Sequence, residues 1–477
     1  MQNSEPVWDY VDEHSADLIG LADRVWGMPE TLYAEYRSCA EHTAMLREKG
    51  FAVTEEVAGI PTAVMGEAGE GGPVIAILGE YDALPGLSQE ANIAEPKPIE
   101  ANGPGHGCGH NLLGSAALLA ACALKDWLAA TGTPGRVRYY GCPAEEGGAA
   151  KAFMVRDGAF DDVDAAITWH PAAMTGVAKA QSLANTRMDF EFTGRSSHAA
   201  AAPHLGRSAL DAAELMNVGV QYLREHVPQE SRIHYAYLNA GGTAPNVVQG
   251  KAKTRYAIRS TTLSGMFDLN ARVEKIARGA AMMTETSVDI SIMSAVSNML
   301  GNKPLDEAMQ KAFEALGGIA FDEADRKFAA EIQKTLTPAD IAASYRSVGL
   351  EPREGEPLCD YVLPLELEGE KMMGSTDVAD VSWAVPTVQA HAATHAIGTP
   401  GHSWQIVAQG KAPAAHKAMT YVSKVMAATG RMLMEDETLM ARVKKAHAEN
   451  LAREPYVCPI PADVKPPLQP RPAAAAE

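Results

Sequence analysis

The residue types able to do chemistry gather in four short stretches of this 477-residue chain. One is Gly105, His106, Gly107, Cys108, Gly109, His110 and Asn111, a thiol and two imidazoles among glycines that let a backbone approach closely. A second runs from Gly79 to Pro85 and carries Asp82. A third, Cys142 to Gly148, holds the adjacent carboxylates Glu145 and Glu146, and the fourth is Trp169, His170 and Pro171. Thiolate, neutral imidazole and carboxylate together form the borderline-soft donor set that zinc takes. A hydrolytic metal centre also needs an open position and a neighbouring group that accepts a proton from bound water. In an extended turn neighbouring side chains point apart, so one of Glu145 and Glu146 can ligate while the other faces the water. Taken singly, each stretch has a plainer reading. Paired glutamates are ordinarily a solvated loop, His170 a satisfied core histidine and Asp82 a turn cap. The Cys108 loop also lacks the paired Cys-x-x-Cys spacing of a structural zinc site.

Position joins them. Residues 73–79, 136–141 and 163–169 are short apolar runs bounded by Gly and Pro, the pattern of buried strands. Each runs into one of these stretches, and the Cys108 loop precedes a long Ala/Leu helix over 112–130. Alternating strands and helices of this kind specify an α/β fold, a mostly parallel mixed sheet flanked by helices. In such sheets the ligand crevice lies beyond the carboxyl ends of the strands, so Asp82, Glu145, Glu146 and His170 should converge. After about residue 183 the pattern changes. Strands over 187–193, 232–239, 252–260 and 288–296 and helices over 208–225 and 269–284 follow the βαββαβ order of an inserted ferredoxin-like unit. The expected division is 1–185, first part of a catalytic domain; 186–298, the insertion; and 299–477, the second part, ending in a Pro/Ala-rich tail over 459–477 that is loose or wraps the body.

Composition sets the outer limits. Apolar residues make up 46% and charged residues 21%, an ordinary globular mix, and the formal net charge is −19. That acidity, with no basic cluster to offset it, argues against nucleic acid as a partner. Aromatics at 6% leave no interleaved stacking platform for single strands. Residues 1–10 are polar and acidic and do not read as a secretory signal. The longest apolar run, 112–124, falls short of membrane-spanning length and ends at Lys125 and Asp126, so no membrane partner is expected. Six widely scattered cysteines do not read as a disulfide framework, and the expected location is the cytoplasm.

At the four stretches the chain resembles the dinuclear metal-dependent amidohydrolases, a family that includes aminoacylases, glutamate carboxypeptidases and auxin-conjugate hydrolases. The stretches occur in that family's order and spacing. The resemblance implies that Cys108, His110, Glu146 and His170 are metal ligands, that Glu145 is the general base, and that Asp82 orients a ligand. It implies one more ligand from a late histidine: His402 fits best, with His395 as competitor. A cysteine in the loop matches the auxin-conjugate branch, although Asn111 stands where that branch usually has Asp. The inserted unit is similar to the family's lid and dimerisation domain. There Gly194, Arg195, Ser196, Ser197 and His198 resemble the motif whose histidine reaches a partner protomer's site and polarises the scissile carbonyl. Asn246 and Arg259 resemble residues that hold the substrate carboxylate.

The implied cofactors are two divalent ions, Zn2+ or Mn2+. The implied partner is a second copy or a related protein, joined through the lid as a homodimer or heterodimer. The implied substrate is a small-molecule N-acyl or N-aroyl amino acid, with p-aminobenzoyl-glutamate in the lead and auxin-type conjugates or dipeptides as alternatives. Two other readings compete: a cysteine-nucleophile amidase using Cys108 with His106 or His110, and a non-catalytic metal-storing or regulatory protein. Treatment with a chelator, followed by an amide-hydrolysis assay, separates the first two. A metal enzyme loses its turnover, whereas a thiol enzyme keeps it.

Overall fold

In this computed structural model residues 5–371 and 373–471 are described. Eleven strands, in chain order, are β1 (Ala52–Glu55), β2 (Val64–Glu70), β3 (Val74–Glu80), β4 (Gly135–Cys142), β5 (Ala165–Ala172), β6 (Gly176–Val177), β7 (Ala184–Thr193), β8 (Arg232–Asn239), β9 (Lys251–Ser260), β10 (Ser287–Val296) and β11 (Thr387–Ala393). The larger sheet has the order β1-β2-β4-β3-β5-β11-β6. Its centre, β4, β3, β5 and β11, is parallel, while β1, β2 and β6 pair antiparallel at the edges. Every residue of β3 is buried, as expected of a parallel strand covered on both faces. One face lies under the helices Val7–Trp26, His110–Thr131 and Pro413–Glu435, and the other under Ala150–Arg156 and Val378–Ala384.

Parallel pairing puts the carboxyl ends of β3, β4 and β5 on one side. Glu80 lies opposite Cys142 and His170 opposite His391 in the ladders. β5 runs past the expected 169, through His170 and Pro171 to Ala172, so His170 projects from the strand itself. Several elements were not legible in the sequence. β1 and β2 form a hairpin-like edge whose Gly- and Glu-containing segments carry no apolar run. The Gly/Ser/Thr/His-rich stretch over 374–404 contains a buried helix, Val378–Ala384, and the last parallel strand, β11. The helix His110–Thr131 corrects the expectation that nothing reaches membrane-spanning length, because its 22 residues are long and apolar enough to do so. It is 83% buried over its most apolar window, however, and packs as a core helix of the sheet.

The second sheet has the order β10-β7-β9-β8, antiparallel throughout. The helices Ala209–Leu223 and Leu263–Met283 cover one of its faces around Phe190, Phe192, Met216 and Val273. The second of these starts well before the expected 269, capped by the Thr262 hydroxyl, which accepts from the Gly265 N–H. Strand alternation turns Asn185, Arg187 and Asp189 of β7 to the face away from the helices. Part of the tail wraps the body: Ile460 is buried, and the Arg156 guanidinium donates to the carbonyls of Pro461 and Val464. Residues 472–477 of that tail lie outside the described residues.

One close approach holds the Cys108–His110 loop against the sheet. A Cβ on Gly114, one turn into the helix from His110, would stand 2.5 Å from the Glu80 carbonyl oxygen and 2.9 Å from His42 Nε2. Gly114→Ala must therefore lift the helix start off β3. The expected loss is about 1–3 kcal/mol of stability in urea unfolding, together with weaker metal binding than wild type in a chelator competition.

Candidate metal centre

Asp82 lies just past β3 and is buried. Its Oδ1 is 2.9 Å from His110 Nδ1, and its Oδ2 accepts the Glu146 backbone N–H at 2.9 Å. One carboxylate thus ties the Cys108 loop to the glutamate loop. With Nδ1 donating to Asp82, the lone pair of His110 sits on Nε2 and faces inward. His170 is set the same way, its Nδ1 2.8 Å from the Pro171 carbonyl and its Nε2 3.3 Å from Cys108 Sγ. Donor atoms of Cys108, His110 and His170 all lie within 4.8 Å of one another, and so do those of Cys108, Glu146 and His402. The two groups share Cys108, so they are adjacent.

His402 stands 3.4 Å from Glu146 through Nε2 and Oε2. Its backbone holds φ 55°, a strained conformation for a non-glycine residue, and its N–H donates to the Gly107 carbonyl. His395 is buried elsewhere, with Nδ1 3.0 Å from the Thr394 hydroxyl, and belongs to neither donor group. His106 is also a core residue, its Nε2 3.0 Å from the Val25 carbonyl.

The donor set suits divalent cations. His110 Nε2, Glu146 Oε1 and Glu80 Oε2 are buried with no hydrogen-bond partner, an arrangement that costs free energy unless something positive is shared among them. Burial, with His110 alongside, pulls His170 down to about 4, so it presents a neutral imidazole. Burial would lower His110 too, but the facing thiol and Asp82 carry it well above its ordinary value. Burial pushes the Cys108 thiol up to about 12, so without a cation it is a protonated, weak nucleophile at neutral pH. Burial also raises Glu146, and it raises Glu145 well above the carboxylate range, with Glu80 and Asp377 adding to the shift.

A charged triad behind the centre escaped the sequence reading. Lys151 is completely buried, with Nζ 2.6 Å from Glu80 Oε1 and 2.8 Å from Asp377 Oδ1. Burial opposes the ammonium charge, but Asp377 and Glu80 hold Lys151 protonated. Glu80 Oε2 lies 3.2 Å from His110 Nε2, and Glu80 falls with His110 and Glu145 in a third donor group. Two signals were present. Glu80 shares a strand face with Asp82, and Lys151 is the sole charge in the otherwise apolar start of a helix.

Glu145 and Glu146 open onto a cavity of about 400 Å³, walled also by Arg187, Arg259, Ser375 and His402. Arg259 therefore joins the candidate site. His198 and Asn246 lie away from this cavity in the single chain. They are exposed on the second sheet's unit and close to each other, with the Ala199 N–H donating to the Asn246 carbonyl.

Residues 76–342 match the Peptidase family M20/M25/M40. The chain is 44% identical over 469 residues to one of the two p-aminobenzoyl-glutamate hydrolase polypeptides of Escherichia coli, the B component, covering 96% of this chain and 97% of that protein. It is 30% identical over 292 residues to the A component of the same hydrolase, covering 57% of this chain and 63% of that one. Among solved structures, a dinuclear metal-binding peptidase of the M20 family from Bacillus subtilis superposes with a TM-score of 0.55 at 16% identity, covering 87% of this chain and 98% of that one.

Metal uptake at this centre requires the Cys108 thiol to lose its proton, so protons and cations compete for it. Apparent Zn2+ affinity, read by competition with a chromophoric chelator, is expected to rise with pH by about tenfold per unit for each proton displaced. Cys108→Ser should flatten that dependence.

Proposed function

Because this chain belongs to the Peptidase family M20/M25/M40, we propose that it is a metal-dependent amidohydrolase of N-acyl or N-aroyl amino acids, cleaving p-aminobenzoyl-glutamate to p-aminobenzoate and glutamate. The observation that carries this reading is the pair of adjacent donor groups sharing Cys108, beside a cavity that Glu145 also lines. Cys108, His110 and His170 would hold one divalent ion, and Cys108, Glu146 and His402 the other. The ions would be Zn2+ or Mn2+, with the thiolate favouring zinc. When bound, they lower the pKa of a water and polarise the scissile carbonyl.

The chain's own groups supply the proton traffic. Glu145 takes a proton as the water oxygen adds to the amide carbon, and it passes that proton to the nitrogen as the C–N bond breaks. Its raised pKa suits a group that must both accept and return a proton near neutrality. Asp82 keeps His110 in the ligating tautomer. Arg259, in the cavity wall, would take the substrate carboxylate in its planar fork. In this reading residues 1–185 and 299–477 form the catalytic domain, and 186–298 form a lid through which two protomers associate.

Association fits the exposed apolar surface of that unit, where Leu215, Val218, Tyr222, Tyr235 and Tyr237 line one helix and the edge strand β8. His198 and Asn246, away from this chain's own cavity, would then serve the partner's. The partner is a second copy or a related protein, as the names of the two E. coli relatives imply for those proteins. A reducing cytoplasm suits a centre that depends on a free thiolate.

Glu145→Gln should retain the metal content of the wild type by elemental analysis while its turnover of p-aminobenzoyl-glutamate falls by roughly 10²–10⁴-fold. Undiminished turnover in that variant would exclude Glu145 as the base.

A further inference from the structure

The face of the second sheet that turns away from its helices carries three arginines on two neighbouring strands. Asn185, Arg187 and Asp189 follow one another along that face of β7, and Arg259, Ala257 and Arg255 lie opposite them on β9. Arg255 is neutralised, its guanidinium bonding both oxygens of Asp189 at 2.7 and 3.0 Å. Arg187 and Arg259 are not. Among the described residues, neither guanidinium has a carboxylate within 4.0 Å. Their hydrogen bonds go to neutral oxygens: Arg187 to the Gly147 carbonyl at 3.1 Å, and Arg259 to the Ser375 hydroxyl at 3.2 Å and the Met373 carbonyl at 3.4 Å.

Both guanidiniums are half-buried and line the cavity that Glu145 and Glu146 open onto. Burial and the other's charge both disfavour the cationic form of Arg187, and burial alone does so for Arg259. The backbone also makes room for Arg187. Gly147 sits at φ 143°, and a Cβ there would stand 2.1 Å from Arg187 Nη1. Two like charges held together and partly desolvated, with no counter-ion from the chain, are destabilising unless a ligand supplies the anions.

Any N-acyl amino acid brings one carboxylate, and one guanidinium fork is enough for it. A second unneutralised fork in the same cavity calls for a second carboxylate. We propose that Arg187 and Arg259 form a two-site clamp for a dicarboxylic amino acid, each taking one carboxylate, and that this clamp selects glutamyl-type conjugates over neutral ones. The inference rests on the amidohydrolase reading and names the residue, Arg187, that adds side-chain selectivity to it.

The test compares an N-aroyl-glutamate with its N-aroyl-glutamine isostere, which lacks only the second charge. The full-length metal-loaded protein and the variants Arg187→Met, Arg187→Lys and Arg259→Met are assayed for kcat/KM. Wild type should prefer the glutamate conjugate by at least about tenfold, the usual worth of a charge-assisted pair. In one of the two methionine variants that preference should collapse while the glutamine conjugate is still turned over. In the other, both conjugates should fall together with the preference intact. Arg187→Lys should recover part of what Arg187→Met loses.

A wild type indifferent to the second charge overturns the clamp, and so does an equal loss on both conjugates in both methionine variants. Should no conjugate be hydrolysed, the amidohydrolase reading fails instead. The clamp is then read without turnover, by calorimetric binding of glutarate against its monoamide. Tighter binding of glutarate that weakens in Arg187→Met supports it, and equal binding overturns it.

Discussion

The arrangement depends on the Asp82 carboxylate. It is buried, yet both its oxygens are used, one facing the imidazole of His110 and the other accepting the backbone N–H of Glu146. A buried carboxylate is costly unless its lone pairs are met, and here meeting them brings two loops together. The hydrogen bond to His110 fixes which nitrogen is left to ligate. The bond to Glu146 sets the turn in which one glutamate faces the metal donors and its neighbour faces the cavity. Burial raises the Asp82 pKa, but His110 and the Glu146 N–H reverse this and keep the group ionised.

Behind this contact the protein buries an unusual amount of charge. Glu80, Asp377 and Lys151 are all inaccessible to solvent or nearly so, and Lys151 bridges the two acids. Isolated, any of them would be expensive, and together they satisfy one another. One Glu80 oxygen is left over and lies against His110 Nε2, so the triad extends the negative field into the donor groups. The Lys151 N–H also donates to Asp377, which pins the start of the helix Ala150–Arg156 directly after the glutamate loop. The cavity beyond is electrostatically divided. Carboxylates and the thiol lie on the side of the main sheet, and the two unneutralised guanidiniums lie on the side of the second sheet.

Much of this was legible from residues alone because the signals are local. Uninterrupted apolar runs marked β3, β4 and β5. The change from buried runs to alternation marked the start of the second sheet at β7. The donors Cys108, His110, Glu146 and His170 sit beside those strands, so finding the strands located them. The edge strands β1 and β2 and the strand β11 were missed for a physical reason. Their segments contain Gly, Glu, Gln and His, and only the pairing partners supplied by distant chain make them strands.

The sequence by itself determined the donor types, their attachment to strand ends, the α/β alternation and the βαββαβ insertion, all of which follow from side-chain chemistry and short-range periodicity. Tertiary structure decided what depends on the approach of distant segments. It set His402 rather than His395 beside Glu146, because the backbone after β11 turns through φ 55° at residue 402 and bonds Gly107. It placed Lys151 between two acids, and it faced Arg187 and Arg259 across the cavity from Glu145. No local pattern encodes those distances, because they arise only when the two sheets stack their elements side by side and exclude water between them.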